Sequence, residues 1–214
     1  MSKIKAIIFD FDGVIVESMD IKAKAFAYLF RDYPEHVEDI VSFHMKHGGM
    51  PRFEKFEKIY SEILKIHLSE DRKKNLADEF SQFVFQEVVK CPYVEGAIEF
   101  LRANKGKYLF FIVSGTPEDE LKSIVNERKL DQYFTEILGS PIKKNVHNSN
   151  LMNKYKLKPE EVMFVGDSID DWEGVKDIGI KFIGRVIDGN PFTAPKVYGI
   201  IKNLYQLQEL IGNV

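Results

Sequence analysis

The stretch Ile4-Lys5-Ala6-Ile7-Ile8-Phe9-Asp10-Phe11-Asp12-Gly13-Val14-Ile15-Val16 constrains this chain more than any other. An apolar run this short, rich in β-branched and aromatic residues, reads as a buried strand. It runs into two aspartates one residue apart and then a glycine. Buried unpaired charge is strongly disfavoured, so carboxylates that end such a strand need something to bind. In an open parallel sheet, ligands bind beyond the carboxyl ends of the strands. Strand alternation places residues 10 and 12 on the same side. Asp10 and Asp12 are therefore candidates for the floor of a site. The competing reading is a plain Asp-Phe-Asp-Gly turn, since both residue types favour turns.

Beyond this strand the periodicity changes. From about Met19 to Lys90 it is helical throughout. Phe53, Phe56, Tyr60, Ile63, Leu64 and His67 share one predicted helical face, with His67 packing at its end. Leu76, Phe80, Phe83, Val84, Glu87 and Val88 share another, and Ser69 marks its start. Pro34 and Gly48-Gly49-Met50-Pro51 separate the shorter pieces. From Cys91 the pattern alternates. Helices are predicted over 94–103, 117–129, 146–156, 170–178 and 204–211, and strands over 107–113, 134–138, 162–165 and 180–183. Such alternation argues for an α/β fold: a Rossmann-like parallel sheet with helices on both faces. The expected organisation is a core of residues 1–16 and 90–214, with an all-α helical cap, residues 17–89, inserted after the first strand.

Three predicted strand ends carry polar residues: Asp10/Asp12, Ser114-Gly115-Thr116 and Asp167. The pair Lys143-Lys144 follows a fourth strand through Gly139-Ser140-Pro141. Taken alone, each is equally well a helix cap or a solvated loop. Together, on one edge of a parallel sheet, they are an inventory for phosphate and a divalent cation. Like charges 4 Å apart repel by ~4 kcal/mol at an effective dielectric of 20. Three aspartates would thus expel a phosphate ester unless a hard cation bridged carboxylate and phosphate oxygens. A lysine adds positive charge, and the helix start at Thr116-Pro117 offers backbone N–H groups.

Asp10-Phe11-Asp12-Gly13-Val14, Val113-Ser114-Gly115-Thr116, a lysine after Gly-Ser-Pro, and Val165-Gly166-Asp167-Ser168-Ile169-Asp170-Asp171 resemble the four ordered motifs of the haloacid dehalogenase superfamily. More narrowly, the chain resembles its phosphoglycolate phosphatase-like and β-phosphoglucomutase-like hydrolases, which carry a helical cap between the first and second motifs. The resemblance implies a Mg²⁺-dependent phosphatase acting on a small phosphomonoester. Asp10 is then the nucleophile that forms an aspartyl-phosphate. Asp12 is the general acid and later the base, with its main-chain carbonyl on the metal. Ser114 and the Gly115 amide hold the phosphoryl group, and Asp10 and Asp167 are metal ligands. The phosphate-binding lysine is Lys143 or Lys144, and spacing to the next helix favours Lys144. The supporting acid is Asp170 or Asp171, and the G-D-x-x-x-D spacing favours Asp171. An aspartate is a poor acid at neutral pH, so closure over the site is expected to raise the pKa of Asp12.

The cap would exclude water and choose the substrate. Arg52 suits bidentate recognition of a carboxylate or second phosphate, and Lys55 lies one turn further on. Ordinary solvent-facing helix residues are the equal alternative for both. Glu17 and Ser18 sit where the chain enters the cap and could also face substrate. The rival functions are a phosphosugar mutase of the same fold, and a receiver-like phospho-acceptor signalling module, which would need neither cap nor second aspartate. The net charge of −3 leaves no basic footprint for nucleic acid. The single Cys91 and the absence of a secretory h-region or membrane span make the cytoplasm the default, for a monomer or homodimer.

Overall fold

The computed structural model describes residues 4–187, 189–193 and 196–212. Its centre is β1 (Ala6–Phe9), all four residues of which are fully buried. Five further strands flank it: β2 (Leu109–Pro117), β3 (Glu136–Ser140), β4 (Val162–Gly166), β5 (Lys181–Arg185) and β6 (Gly199–Ile201). The order is β3-β2-β1-β4-β5-β6, and every neighbouring pair is parallel.

A parallel sheet needs apolar cover on both faces, and alternation along β1 provides for it. Ile7 and Phe9 join one apolar cluster, while Ala6 and Ile8 join the other. Complete burial of each larger side chain contributes about 2 kcal/mol. Register sets the site: Phe9 pairs with Ile112 on one side and Val165 on the other. Asp10 therefore emerges between the ends of β2 and β4.

Four α-helices fill the stretch from residue 19 to residue 90 after β1: α1 (Met19–Leu29), α2 (Val37–Lys46), α3 (Arg52–Lys58) and α4 (Glu70–Lys90). Ser69 caps α4 by accepting a hydrogen bond from the Arg72 amide. Phe26 is their hub, with ring centroids 5.1 Å from Phe80, 5.8 Å from Phe56 and 4.5 Å from His44. The chain enters and leaves this helical segment through two adjacent crossings. Glu17 N–H donates to Pro92 O, Val94 N–H donates to Ile15 O, and Val16 forms an antiparallel bridge with Tyr93.

The remaining helices are α5 (Ala97–Asn104), α6 (Glu118–Glu127), α7 (Lys144–Lys154), α8 (Ile169–Glu173) and α9 (Leu204–Gly212). Several boundaries depart from the sequence reading. α3 passes into a π-turn over Ile59–Leu64 and stops where Lys65 takes a left-handed φ of 57°. His67 consequently lies beyond the helix and is exposed. β2 continues in extended form through Ser114–Pro117, with a register irregularity after Val113. α7 starts two residues early, because Lys143 is its extended N-cap. α8 ends after little more than one turn. The short edge strand β6 was not anticipated.

Candidate active site

The sheet edge gathers the predicted residues from four separate strand ends. Asp10 is buried; its Oδ1 accepts a hydrogen bond from the Phe11 amide at 2.8 Å and lies 3.2 Å from Lys144 Nζ. Lys144 also contacts Asp171, which is fully buried and accepts bonds from the Ser168 amide (3.1 Å) and hydroxyl (2.6 Å). Lys143 is exposed at the helix cap. The early start of α7 is what turns Lys144, rather than its neighbour, inward. Asp170 is half-buried and faces His47 at 3.7 Å.

Oxygen atoms of Asp10, Asp167 and Asp171 all lie within 4.8 Å of one another. Gly13 makes this approach possible. Its φ of +71° is in the left-handed region, and a Cβ there would come within 2.1 Å of Asp167 Oδ2. Three carboxylates against one ammonium leave the cluster short of positive charge. Burial pushes the Asp10 carboxyl up to about 7; the attraction of Lys144 opposes this, and Asp171 and Asp12 add to it. Burial, with Asp171 and Asp10 beside it, also drives Asp167 well above the usual carboxylate range. Lys144 moves the other way: burial penalises its charge, but Asp10 and Asp171 outweigh that and raise its pKa. Asp167 Oδ1 is buried with no hydrogen-bond partner.

Asp12 has a different set of partners. Its Oδ1 accepts from Ser18 Oγ at 2.6 Å, and its Oδ2 accepts from Thr116 Oγ1 at 2.9 Å and from Lys22 Nζ. Burial alone would raise its pKa. The Lys22 charge and the bonds from Lys22, Ser18 and Thr116 more than offset that, so the carboxyl is held below its usual value. The expected rise is therefore reversed, because the helical segment sets a cation beside Asp12 as well as burying it. Ser114 is buried, and its Oγ accepts from the Thr116 amide at 3.2 Å. α6 begins only at Glu118 and opens with three acids, two of them engaged: Glu118 accepts from the Gly139 amide, and Glu120 pairs with Arg52.

The loop at Gly48–Met50 lies directly on this edge. A Cβ on Gly49 would be 2.6 Å from Ser168 Oγ and 3.3 Å from Lys144 Nζ, and one on Gly115 would be 2.7 Å from Gly49 O. The chamber beneath, bounded by Asp10, Asp12, Lys22, Lys55, Ser114 and Phe80, has room for water-sized centres of about 20 Å³, roughly one water molecule.

The sequence profile of haloacid dehalogenase-like hydrolases matches residues 7–185. The chain belongs to that family. Among curated relatives, this haloacid dehalogenase-like hydrolase is 27% identical to a phosphorylated carbohydrates phosphatase of Thermotoga maritima, over 86% of this chain and 85% of that one. It is 26% identical to a phosphoglycolate phosphatase of Vibrio parahaemolyticus, over 98% and 96%. Among solved structures, one described as a phosphoglycolate phosphatase of Haemophilus somnus superposes with a TM-score of 0.77 at 21% identity. That match covers 98% of this chain and 99% of the other.

The two basic residues singled out in the helical segment of this hydrolase are not solvent-facing. Arg52 is buried, forms a bidentate pair with Glu120 at 2.5 and 2.9 Å, donates to Ser81 Oγ, and lies 4.5 Å over the Phe80 ring. The carboxylate it holds here is the chain's own. Lys55 is buried at the chamber wall, 2.9 Å from His44 Nδ1 and 3.3 Å from Gly48 O. Desolvation and the nearby Lys22 lower its pKa to about 7, and desolvation with Lys55 lowers His44 to about 2. Glu17 is paired with Arg185 at 2.6 Å. Sequence reasoning missed Lys22, which follows no motif. The one available signal for Lys22 was its place in the first turn of the helix that follows Asp12-Gly13.

Proposed function

We propose that this hydrolase is a Mg²⁺-dependent phosphatase of small phosphomonoesters, with residues 17–89 acting as its cap. The observation that carries the reading is Asp10: a buried carboxylate at the end of the central strand, one oxygen held by the Phe11 amide and Lys144, on the wall of a chamber of about 20 Å³. With Oδ1 so engaged, Oδ2 is the oxygen left to attack phosphorus in line. That step forms an Asp10–phosphorus bond and breaks the bond from phosphorus to the leaving oxygen. Asp12 donates a proton to that oxygen. A dianionic phosphate beside Asp12 favours its protonated form, which offsets the lowering by Lys22. In the second step Asp12 takes a proton from water, which attacks phosphorus, releases inorganic phosphate and restores the Asp10 carboxylate. Ser114 Oγ, the Gly115 amide and Lys144 would hold phosphoryl oxygens.

The donor set fits a hard divalent cation. It consists of carboxylate oxygens, one of them buried and unpartnered, in a cluster deficient in positive charge. Asp10, Asp167 and the Asp12 carbonyl would hold Mg²⁺, with Asp171 supporting through Lys144. The ion would supply charge neutralisation for the phosphoryl group.

Phosphorylated carbohydrates and phosphoglycolate, the substrates named for two relatives, define the panel on which to test this. Release of inorganic phosphate with Mg²⁺, lost on chelation and in Asp10→Asn, is expected. Equal turnover by Asp10→Asn would overturn the reading.

A further inference from the structure

Most polar groups around the chamber already have partners. Lys22 contacts Asp12, and Lys144 contacts Asp10 and Asp171. Arg52 is closed off by Glu120, which also accepts from Ser81 Oγ at 2.6 Å. His44 is the exception. It lines the same chamber, is only 1% exposed, and its Nε2 is buried with no hydrogen-bond partner among the described residues. A buried polar atom left unpaired costs free energy, and on the wall of a cavity a ligand atom can pair it.

The neighbours of His44 decide what kind of atom that is. The other ring nitrogen, Nδ1, lies 2.9 Å from Lys55 Nζ, which also donates to Gly48 O at 3.3 Å. An ammonium group only donates, so Nδ1 accepts and the ring proton sits on Nε2. A phosphate ester in the chamber favours the charged form of Lys55 and hence this tautomer. Burial, with the charges of Lys55 and Lys22, lowers the His44 pKa to about 2, so the ring stays neutral. Phe26 stacks on it at 4.5 Å and 21°, which holds its plane. Phe26, His44 and Lys55 stand on α1, α2 and α3. The helices alone therefore set this donor, and it stays set as the chamber widens around a substrate.

We infer that His44 Nε2–H is a specificity-determining donor to one hydroxyl oxygen of the leaving alcohol, so that the preferred ester is a hydroxylated one rather than a carboxylate. The inference deepens the phosphatase reading and rests on it. A carboxylate calls for a free cation, whereas Arg52 is bound to Glu120 and Lys55 is engaged by His44 and Gly48. A neutral donor suits a neutral acceptor. A hydroxyl accepts from Nε2–H and still has its own proton to donate. An alcohol that lacks this hydroxyl leaves the donor buried and unpaired, which makes the discrimination steep.

The test measures kcat/KM with Mg²⁺ on the most active ester among glycerol 3-phosphate and the pentose and hexose phosphates, and on each of its monodeoxy analogues. The unsubstituted enzyme should prefer the full ester to one of these analogues by about 10- to 10²-fold, the cost of orphaning one donor. His44→Asn keeps an acceptor near Nδ1 for Lys55 but removes the donor, and should bring that ratio within about 3-fold. His44→Gln, whose amide reaches the Nε2 position, should keep most of the ratio and covers the case in which the Asn variant does not fold.

A merely structural role would lower both rates together, and a ratio that survives in His44→Asn would overturn the inference. So would an unsubstituted enzyme indifferent to every deoxy analogue. A preference for phosphoglycolate, with the loss in His44→Asn confined to it, would also overturn it by making the partner a carboxylate. 4-Nitrophenyl phosphate separates the two levels. If the enzyme releases phosphate from neither this ester nor any other, the phosphatase reading falls, and this inference with it. If phosphate is released and lost in Asp10→Asn, while the His44 variants leave the ratio unmoved, only the present inference falls.

Discussion

The sheet edge and the helical segment above it reach the same chamber by opposite means. The edge supplies acids, Asp10, Asp12, Asp167 and Asp171, each at or just after a strand end whose place is set by main-chain register. The helices supply bases, Lys22, Arg52 and Lys55, on side chains whose reach depends on how one helix packs against another. The acids would repel one another and a phosphate ester alike. The bases lose solvation when they are buried, as the lowered pKa of Lys55 shows. Each side is costly by itself, and each reduces the other's cost when they meet. The difference teaches that the acids of this molecule are placed by strand register, while much of the charge that balances them is placed by helix packing.

The largest expected break in that comparison is on the edge. Asp10→Asn should lower phosphate release by at least about 10⁴-fold while leaving the melting temperature unchanged or higher, since it removes one of three crowded carboxylates. Next is the lysine pair. Lys144→Met should cost on the order of 10²-fold in kcat/KM, and Lys143→Met should fall within about twofold of the parent; comparable losses would undo the placement of Lys144. The third case lies where edge and helices touch. Arg52→Met leaves the half-buried Glu120 with Ser81 as its remaining donor and should destabilise the fold by about 2 kcal/mol in a denaturant melt. An intact melt with a KM raised only for anionic substrates would instead make Arg52 a substrate contact.

Smaller effects probe the seam. Gly49→Ala puts a methyl 2.6 Å from Ser168 Oγ, so the loop cannot seat fully. We expect kcat/KM to drop by about tenfold with little change in thermal stability. The last is read as a slope in pH and concerns Lys55. Its pKa in the folded protein, about 7, lies below the ordinary 10.5, so between these values the unfolded chain binds more protons. Stability should then rise with pH across that window, by up to about 1 kcal/mol per pH unit, and the slope should vanish in Lys55→Met. A parent and variant with identical slopes would show that Lys55 stays charged.

The same division explains what could be read from sequence. Asp10, Asp12, Ser114 and Asp167 were legible because a short apolar run that stops at a polar residue is a local pattern, and parallel topology sends such ends to one edge. Lys144 followed from its spacing to a helix, although that helix begins earlier than apolar periodicity suggests, since Lys144, Asn145 and Lys143 carry no apolar signal. Lys22 was not legible. It is a lone polar residue on a helix, and only the docking of α1 against α2 and α4 decides whether it meets solvent or a carboxylate. Arg52 was noticed for bidentate anion recognition, with solvent exposure as the equal alternative; that it holds the chain's own Glu120 could not be read, because Glu120 lies 68 residues away and no local rule connects them. The end of α3 was misjudged for a similar reason. Apolar spacing ran on to His67, while the backbone turned left-handed at Lys65. β6 is three residues long, too brief for alternation to register.

The two crossings between sheet and helices are stitched together by the main-chain bonds Glu17–Pro92 and Val94–Ile15. A segment tied by two separate threads could drift, tilt and twist. Tied by a two-stranded ribbon, it keeps both bonds only if it turns about the ribbon as a door turns about a single pin. Any swing of such a door would follow a single arc, and Lys22, mounted just beyond the pin, would meet Asp12 along one path.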